Sequence, residues 1–340
     1  MRTATRALAA IVVIGAGATC TMAAVDLREH RLAPLATQAS PMVWAREPTE
    51  KGGCFEGGCS QGQFAMAIPP FVGLNDELLI AGQRELWRSN DGRTWASAPK
   101  TDWGPRAGMS FASFGGRLWM FGGAASTDDL RNDIWTSFDG LTWVRVVDHA
   151  EWSPRRNHNV VAFGDRLWLL GGTGHSEASG QPTDQVHTDI WSSTNGIVWA
   201  LEDADAPWGS RDGKSVLIHQ DKMWILGGRD RRDVWSSDDG RNWRTVTTQA
   251  AWPARQNGGS LVYRNELWVF GGRGLNDAWR STDGRHWREE AAAPWSTRTA
   301  NYSIVFRDKI WLFSGKTGRE DSWDGVVWSL AAVDRSPSRS

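Results

Sequence analysis

The sequence is poor in the residues that redox and radical sites use. It has three cysteines and two tyrosines in 340 residues, and no cysteine lies beyond Cys59. Neither charge sign is in excess, since 38 basic and 39 acidic residues give a net charge of -1. This balance gives no reason to expect nucleic acid or a charged membrane surface as a partner.

Only one stretch is apolar enough to enter a membrane. Two arginines precede an uncharged, mostly apolar run from Ala7 to Val25. This order predicts a secretory signal peptide over residues 1–25, but the run also reaches the ~17–25 residues that a retained membrane anchor needs. Both alternatives predict an exported protein, periplasmic or extracellular, whose membrane contact is limited to this segment.

The next residues, 26–62, are polar and irregular and predict a linker. Cys54 and Cys59 are expected to close a small disulfide loop there, because exported proteins fold in an oxidising compartment. MVWARE (Met42–Glu47) is similar to IVWALE (Ile197–Glu202) and has the pattern of a fourth strand without its blade. It would either pair with the edge of the last repeat or clasp that repeat from outside.

Tryptophan, by contrast, is abundant, and its 23 copies recur at regular spacing. DVWSSDDGRNW from Asp233 returns as DAWRSTDGRHW from Asp277, and related strings occur further upstream. A W-x-x-R segment precedes each of five apolar runs such as LWVFGG. The pattern predicts four short strands in each copy, with the apolar second strand buried on both faces.

Such a four-stranded unit needs neighbours, because neither of its faces is polar enough to remain in water. Units that pack radially and close into a ring form a β-propeller. The count of copies predicts an all-β, six-bladed propeller over residues 63–333, followed by a disordered tail at 334–340. In each outer hairpin, a three-residue loop containing Asp-Gly would place two Trp residues directly opposite each other.

The repeat resembles the kelch repeat. It shares an apolar strand that ends in Gly-Gly, a Trp in the fourth strand and an Arg that opens the next unit. Blade one departs from the pattern with Leu79 in place of the second-strand Trp. In blade six, Trp323 and Trp328 are only five residues apart, as if three residues were missing. The resemblance implies a fold rather than an activity, since such folds host many functions.

The loops that enter strand one and the loops that leave strand two are expected on one face of the ring, where they form a rim. Five arginines recur in the first set of loops: Arg106, Arg155, Arg211, Arg255 and Arg298. Guanidinium groups bind carboxylates in bidentate fashion, so these residues are candidates for binding an anionic or glycan ligand. Their strict repetition favours the alternative that each Arg stacks on its Trp and bonds backbone carbonyls.

Residues at the rim that do not repeat are better candidates for a specific site. They are Arg156, Asn157, His158, Lys214, Asn257 and Asn301. Blade three also inserts Thr173–Thr188, and length variation on one face of a repeat protein usually marks the binding face. The possible ligands in this insertion, His175, Glu177, Asp184 and His187, lack the close spacing of metal ligands. We therefore expect a solvated loop, no metal and no cofactor.

These observations predict a non-catalytic binding module that holds a ligand or another protein at its rim. The alternative is a sugar-acid mutarotase, because an export signal followed by kelch-type blades and an Arg-rich mouth is similar to periplasmic N-acetylneuraminate epimerases. His158 or a rim carboxylate would then act as acid or base, with Arg156 beside it. A galactose-oxidase-like copper enzyme would need a Tyr–Cys cross-link, and a sialidase a Tyr–Glu pair. Neither pattern is recognisable in the sequence.

Overall fold

The computed structural model describes residues 42–47, 71–72, 77–81, 86–97, 101–176, 183–255, 258–272, 274–290, 293–295, 297–299, 302–313, 316–317, 322–323 and 327–332. The chain divides into two units, Met1–Ala39 and Ser40–Ser340, and all described residues belong to the second. The predicted signal or anchor segment and both cysteines of the predicted disulfide lie outside them. Within the described residues, no helix is long and apolar enough to cross a membrane.

The described residues form six sheets of antiparallel strands, so the prediction of an all-β, six-bladed propeller is confirmed. The strands of blades one to three are β2 (Phe71–Val72), β3 (Leu78–Ala81), β4 (Leu86–Ser89), β5 (Ala96–Ser97), β6 (Ser110–Phe114), β7 (Arg117–Ala124), β8 (Leu130–Ser137), β9 (Val144–Val147), β10 (Asn159–Phe163), β11 (Arg166–Ser176), β12 (Thr183–Ser193) and β13 (Ala200–Asp203).

The remaining strands build blades four to six. Those of blades four and five are β14 (Ser215–His219), β15 (Lys222–Gly228), β16 (Arg231–Ser237), β17 (Trp243–Thr247), β18 (Gly259–Tyr263), β19 (Glu266–Gly272), β20 (Leu275–Ser281) and β21 (Arg288–Glu289). Blade six contains β23 (Tyr302–Phe306), β24 (Lys309–Phe313), β27 (Val327–Ala332) and β1 (Met42–Glu47). Three short strands extend the sheet of blade five: β22 (Arg298–Thr299), β25 (Lys316–Thr317) and β26 (Ser322–Trp323).

The second strand of each blade is the buried centre of its sheet. In blade three, Leu167 and Leu169 are fully buried. The pairing of this strand with the third strand shifts by one residue between Leu170 and Gly172. Gly171 and Gly172 adopt φ angles of 56° and 109°, which glycine reaches without steric cost. The repeated Gly-Gly is therefore explained by a β-bulge at the end of the second strand.

The turn between strands three and four differs from the expected three-residue loop. In blade four, Ser237 pairs with Trp243, so that residues 238–242 form the loop. Trp235 pairs with Thr245, two positions further along the hairpin. The two tryptophans thus lie on the same face of the sheet but diagonally, and the prediction that they face each other directly was wrong.

The loop is longer because its polar side chains bind the backbone of the loop itself. Ser237 Oγ accepts a hydrogen bond from the Gly240 N–H at 2.9 Å, and Asp239 Oδ1 accepts one from the Asn242 N–H at 2.7 Å. Burial opposes the ionisation of Asp239, but the hydrogen bonds from Asn242 outweigh it and lower its pKa to about 2. The same S-x-D-G arrangement therefore closes the outer hairpin without needing a tighter turn.

The glycine of each turn packs against the second strand of the preceding blade. Gly240 has a φ of 79°, and a Cβ atom there would lie 2.6 Å from the ring of Trp168 in blade three. A side chain at this position would therefore push two blades apart. The same contact is made by Gly196 with Trp119 and by Gly284 with Trp224.

This contact also accounts for the departure in blade one and closes the ring. Gly140 of blade two faces Leu79, so the position of the second-strand Trp is filled by a smaller apolar side chain. Gly92 of blade one faces Trp311 of blade six, where a Cβ atom would lie 2.7 Å from the indole ring. Blades one and six are therefore neighbours, joined by the contact that joins the other blades.

Blade six takes its fourth strand from the other end of the chain. Its sheet order is β1-β27-β24-β23. Trp328 of β27 lies opposite Leu312, just as Trp235 lies opposite Ile225 in blade four. Trp328 is therefore the third-strand Trp of this blade. Trp323 lies in β26, so its five-residue spacing from Trp328 does not mark a shortened hairpin.

The sequence left open whether Met42–Glu47 pairs with the edge of the last repeat or clasps that repeat from outside. In the structure it pairs with β27 and completes this sheet in the register of the other blades. Trp44 lies opposite Leu330, two positions beyond Trp328, as Trp243 lies two positions beyond Trp235. The Trp44 ring packs edge-to-face on Trp295 at 4.3 Å between centroids. Trp143 makes the same kind of contact with Trp103, at 4.7 Å. The propeller is thus closed by a strand from the N-terminal side.

A buried carboxylate holds the closing strand in place. Glu47 is 5 % exposed and accepts hydrogen bonds from Ser329 Oγ at 2.5 Å and from Arg93 Nε at 2.7 Å. Burial alone would raise the pKa of Glu47, but these two hydrogen bonds lower it. The contact links blade six to the hairpin turn of blade one. The same arrangement recurs in blades three and four with Glu202, Ser192 and Arg241.

Candidate functional site

Two sets of loops meet on one face of the propeller, as the strand order predicts. The loop that enters β10 pairs with the end of β11 through Arg156 and Thr173. In blade two, Ala107 and Ala124 form the same kind of bridge. We use the word rim for this face, formed by the W-x-x-R loops and the loops that follow Gly-Gly.

The arginines of the W-x-x-R motifs are buried in ion pairs within their own blades. In blade four, the Arg211 guanidinium donates to both carboxylate oxygens of Asp233, at 2.8 and 2.9 Å, and to the Gly227 carbonyl at 3.0 Å. Asp233 Oδ2 also accepts a hydrogen bond from Trp235 Nε1 at 2.8 Å. Burial would raise the pKa of Asp233, but the hydrogen bonds from Arg211 and Trp235 lower it.

The same Arg–Asp–Trp unit recurs in each of blades two to five. The other three units are Arg106–Asp133–Trp135, Arg155–Asp189–Trp191 and Arg255–Asp277–Trp279. The four arginine side chains are at most 6 % exposed. A ligand would have to break an internal ion pair to reach any of them, so the geometry favours a structural role for these four residues.

The aspartates of these units are the residues that sequence reasoning did not connect with the repeated arginines. In blades two to five each of them lies two residues before the third-strand Trp, and blade one has Glu85 at the same position. An acidic residue and a basic residue that repeat together point to an ion pair, and this signal was available in the sequence. The distance along the chain concealed it, because Arg155 and Asp189 are 34 residues apart whereas Arg211 and Asp233 are 22 apart.

Three predicted site residues have no described side chain. Arg298 lies in β22, where its backbone pairs with Leu275 and Thr317. Asn257 and Asn301 lie outside the described residues. Their proposed part in ligand binding remains a prediction.

Arg156 and Asn157 lie at the rim, where they connect loops. The Arg156 Nη2 donates to both carboxylate oxygens of Asp184, at 3.1 and 2.8 Å. Asn157 adopts a φ of 56°, and its N–H donates to the Gly108 carbonyl at 2.7 Å. Asn tolerates this left-handed conformation better than most residues. Both residues therefore stabilise the rim, and Arg156 is partly accessible from it.

His158 differs from its neighbours because it is 4 % exposed and points between blades. Neither ring nitrogen makes a hydrogen bond of normal geometry. The nearby Phe121 backbone favours the protonated form, but this effect is smaller than that of burial. Burial lowers the pKa of His158 to about 3, and the charges of Arg155 and Lys214 add to this effect. The imidazole is therefore neutral at ordinary pH and shielded from the rim, which counts against its use as an acid or base there.

Lys214 occupies the corresponding place in blade four and is 7 % exposed. Its ammonium lies 5.4 Å from the centroid of the Trp208 ring. Burial lowers the pKa of Lys214 to about 8, and the charge of Arg211 contributes in the same direction. Within the described residues this amine has no carboxylate partner, since Asp212 pairs with Arg229 and Asp189 with Arg155.

The insertion of blade three is a β-hairpin in its described part, and not the expected solvated loop. β11 and β12 continue past the blade core, with His175 paired to Asp184 and Ser176 to Thr183. The hairpin leans toward blade two, where His175 Nε2 lies 3.0 Å from the Thr127 carbonyl. In the described residues, no group of three or more His, Cys, Asp or Glu side chains is arranged to hold a metal ion.

Comparison with known proteins agrees with this architecture. Residues 218–333 match the family described as DUF6242 beta propeller domain. No curated protein sequence matches the chain. Among solved structures, the chain is similar to one titled "Structure of YjhT", with a TM-score of 0.61 and 16% identity over 77% of this chain and 95% of that one. At this identity the similarity shows a shared fold alone. The chain is a six-bladed β-propeller, and its resemblance to kelch-type propellers is confirmed at the level of the fold.

Proposed function

We propose that this chain is an exported, non-catalytic binding module that holds another protein at the rim, beside the long hairpin of blade three. The hairpin is the observation that supports this function. β11 and β12 have 11 residues each, whereas β15 and β19 have 7. At about 3.3 Å per residue, the four additional residues raise the hairpin by roughly 13 Å. One side of the rim is therefore much taller than the side formed by blades four and five.

The base of the hairpin is fixed to the rest of the rim. Arg156 bonds Asp184 on one side of it, and His175 reaches the Thr127 carbonyl of blade two on the other. Ser153 and His187 also lie within 3.4 Å of each other at its base. A surface that is already ordered loses less conformational entropy when a partner binds. This supports a hairpin that presents a contact surface rather than one that closes over a small ligand.

The charges of the rim also favour a protein over a small acidic ligand. Where the side chains of the W-x-x-R arginines are described, they are buried in ion pairs and present no free guanidinium. The exposed groups are mixed in sign, with Arg156 beside Asp184 and Arg229 beside Asp212. Surfaces with alternating charge suit the polar edge of a protein interface.

Site-directed photo-cross-linking in the native host tests the proposal. A photoreactive amino acid replaces Thr183 on the hairpin or, as a control, Asp165 in the turn at the opposite end of β11; both positions are exposed. Cross-links to a defined protein from Thr183 and none from Asp165 support the proposal. Cross-links from both positions alike, or from neither, contradict it.

A loop graft separates binding from folding. Blade four connects its Gly-Gly pair to Asp233 through residues 229–232, so this segment can replace residues 173–188, which connect Gly-Gly to Asp189 in blade three. The graft shortens the hairpin to a length that the propeller already uses. We expect the grafted protein to keep its near-ultraviolet tryptophan spectrum and to lose the partner. Partner binding that survives the graft would place the interface elsewhere.

The mutarotase alternative is tested by an independent measurement. Anomer exchange of sialic acid is followed by NMR with the wild type and with Arg156→Ala and His158→Ala variants. The low pKa and burial of His158 lead us to expect exchange no faster than in buffer. Exchange that is faster with the wild type and lost in the variants would replace the binding proposal with a catalytic one.

A further inference from the structure

In blades two to four, the residue directly before strand one places its side chain against the preceding blade. It is the third residue after the arginine of the W-x-x-R motif: Met109, His158 and Lys214, whereas blade five has Gly258 there. His158 Cε1 and Lys214 Nζ both approach the Gly-Gly pair of the preceding blade. A Cβ atom on Gly122 would lie 3.2 Å from the first, and one on Gly171 would lie 2.8 Å from the second. We call this position the interblade slot.

Among these four residues, Lys214 alone brings a positive charge into its slot. A pKa of about 3 keeps His158 neutral. The arginines on either side of Lys214 are already balanced, because Arg155 pairs with Asp189 and Arg211 with Asp233. With 7 % exposure and neither hydrogen bond nor ion pair to a described residue, the ammonium is attracted by Asp212 and Asp189 only through their longer-range charge, and both carboxylates already pair with arginines.

A buried ammonium without a counter-charge is unfavourable, and there are two ways to remove the cost: loss of the proton or binding of an anion. The pKa of Lys214, lowered to about 8 by burial and by Arg211, is still above neutrality. At pH 7 roughly nine-tenths of the amine would therefore remain charged. Proton loss does not solve the problem at neutral pH, so an anion is the remaining solution.

We propose that Lys214 binds a small monovalent anion, chloride or a single carboxylate group, in the interblade slot between blades three and four. The small exposure of Lys214 allows contact with a group of that size but not with a whole sugar or peptide. A single unbalanced ammonium calls for a single negative charge. Arg155 and Arg211 make the slot more attractive to an anion through their charge, although Asp189 and Asp233 occupy their donors. This site does not depend on the protein partner proposed above.

Lys214→Met tests the site, because Met109 shows that the unbranched methionine side chain fits the same slot in blade two. Thermal unfolding of the wild type and the variant is followed at neutral pH over a concentration series of sodium chloride or sodium acetate. Sodium sulfate keeps the ionic strength constant, and because sulfate itself stabilises folded proteins, the wild type and the variant are compared at each step of the series. We expect the midpoint of the wild type to rise by several degrees relative to that of the variant as the monovalent anion increases.

The two salts distinguish the sources of the anion. A rise with both indicates a general site for monovalent anions. A rise with chloride alone or acetate alone identifies a chloride site or a carboxylate site. Chlorine NMR line broadening that is present with the wild type and absent with Lys214→Met supports chloride binding independently of stability.

Other outcomes would overturn the proposal. These are an equal anion effect in both proteins, no effect in the wild type, or an effect that persists above pH 10.5, where the amine is neutral. Near-ultraviolet circular dichroism checks that the variant is folded. If Lys214→Met does not fold, Lys214→Gln removes the charge while keeping a polar end, and the same comparison applies.

Discussion

Arg211 and Lys214 are three residues apart at one blade interface, but only Arg211 has a carboxylate partner within the described part of the chain. Arg211 is buried against Asp233 with both of its partner oxygens in hydrogen-bond contact. Lys214 is nearly as buried but has no carboxylate of its own in the described residues. The first belongs to a unit that repeats around the ring, and the second does not.

The difference between Arg211 and Lys214 distinguishes residues that build every blade from residues that can vary from one blade to the next. A residue that repeats must be satisfied in every blade, so its partner repeats with it. A residue that occurs once is under no such constraint. Where it has no partner within the chain, it is available to bind a ligand, an ion or another protein. Lys214, Arg156 and the hairpin of blade three all belong to this second class.

The largest effect on stability is expected for Arg211→Met. It leaves the Asp233 carboxylate buried without its cation, and we expect a loss of about 3–5 kcal/mol in the free energy of unfolding. Urea denaturation followed by tryptophan fluorescence measures this value. Arg229→Met in the same blade is the control, since its guanidinium is 62% exposed and its removal should cost less than about 1 kcal/mol. Equal losses of unfolding free energy in the two variants would mean that the buried Arg211–Asp233 pair stabilises the fold no more than an exposed pair does.

The fold could be predicted from the sequence because the repeated residues report on packing that is the same in each blade. The Trp spacing and the Gly-Gly bulges specify which strands are buried and where they end. Connectivity is different. Trp44 fills the fourth-strand position of blade six, but the sequence left open whether MVWARE pairs with the edge of that blade or clasps it from outside. Its partner strand is formed by residues 327–332 near the other end of the chain.

Trp44→Ala tests a repeated position that is filled from a distant segment of the chain. Trp44 and Trp243 occupy equivalent places and are both half-buried. We expect each Ala variant to lose about 2–4 kcal/mol of unfolding free energy, with the two losses within about 1 kcal/mol of each other. A much smaller loss for Trp44→Ala would show that β1 contributes little to closure, and that packing in this blade is not equivalent to packing in blade four.

The site was harder to predict than the fold, and for a physical reason. The sequence showed five arginines in register but not whether their guanidinium groups were satisfied, because that depends on aspartates 22 to 34 residues away. The sequence singled out His158 and Lys214 as unrepeated. Their polarity suggested exposure at the rim, but their position in the interblade slot buries them. Unrepeated residues at a repeat boundary are therefore better guides to function than charged residues that recur.

Lys214→Met removes a charge whose effect on stability depends on pH. The pKa of Lys214 is about 8 in the folded protein and near 10.5 when unfolded. Between these values the unfolded chain binds more protons, so the stability of the wild type rises with pH. Below pH 8 in chloride-free buffer, we expect the variant to be more stable by up to about 3 kcal/mol, and the gap to close by pH 10.5. A gap that does not change with pH would indicate that the slot neutralises the ammonium in some other way.

The smallest effect on stability is expected at Arg156, which lies next to Arg155 in the sequence but outside the repeat. Its side chain is 17% exposed and its partner Asp184 is 58% exposed, so Arg156→Ala should change the free energy of unfolding by less than about 1 kcal/mol. Arg155→Ala, one position earlier, removes a guanidinium that is 1% exposed and should cost several times more. If the rim binds a protein partner, cross-linking from Thr183 should fall in Arg156→Ala although the fold is intact, because the base of the hairpin has lost its ion pair. Undiminished cross-linking together with a large loss of stability would reverse the assignment of these neighbouring arginines.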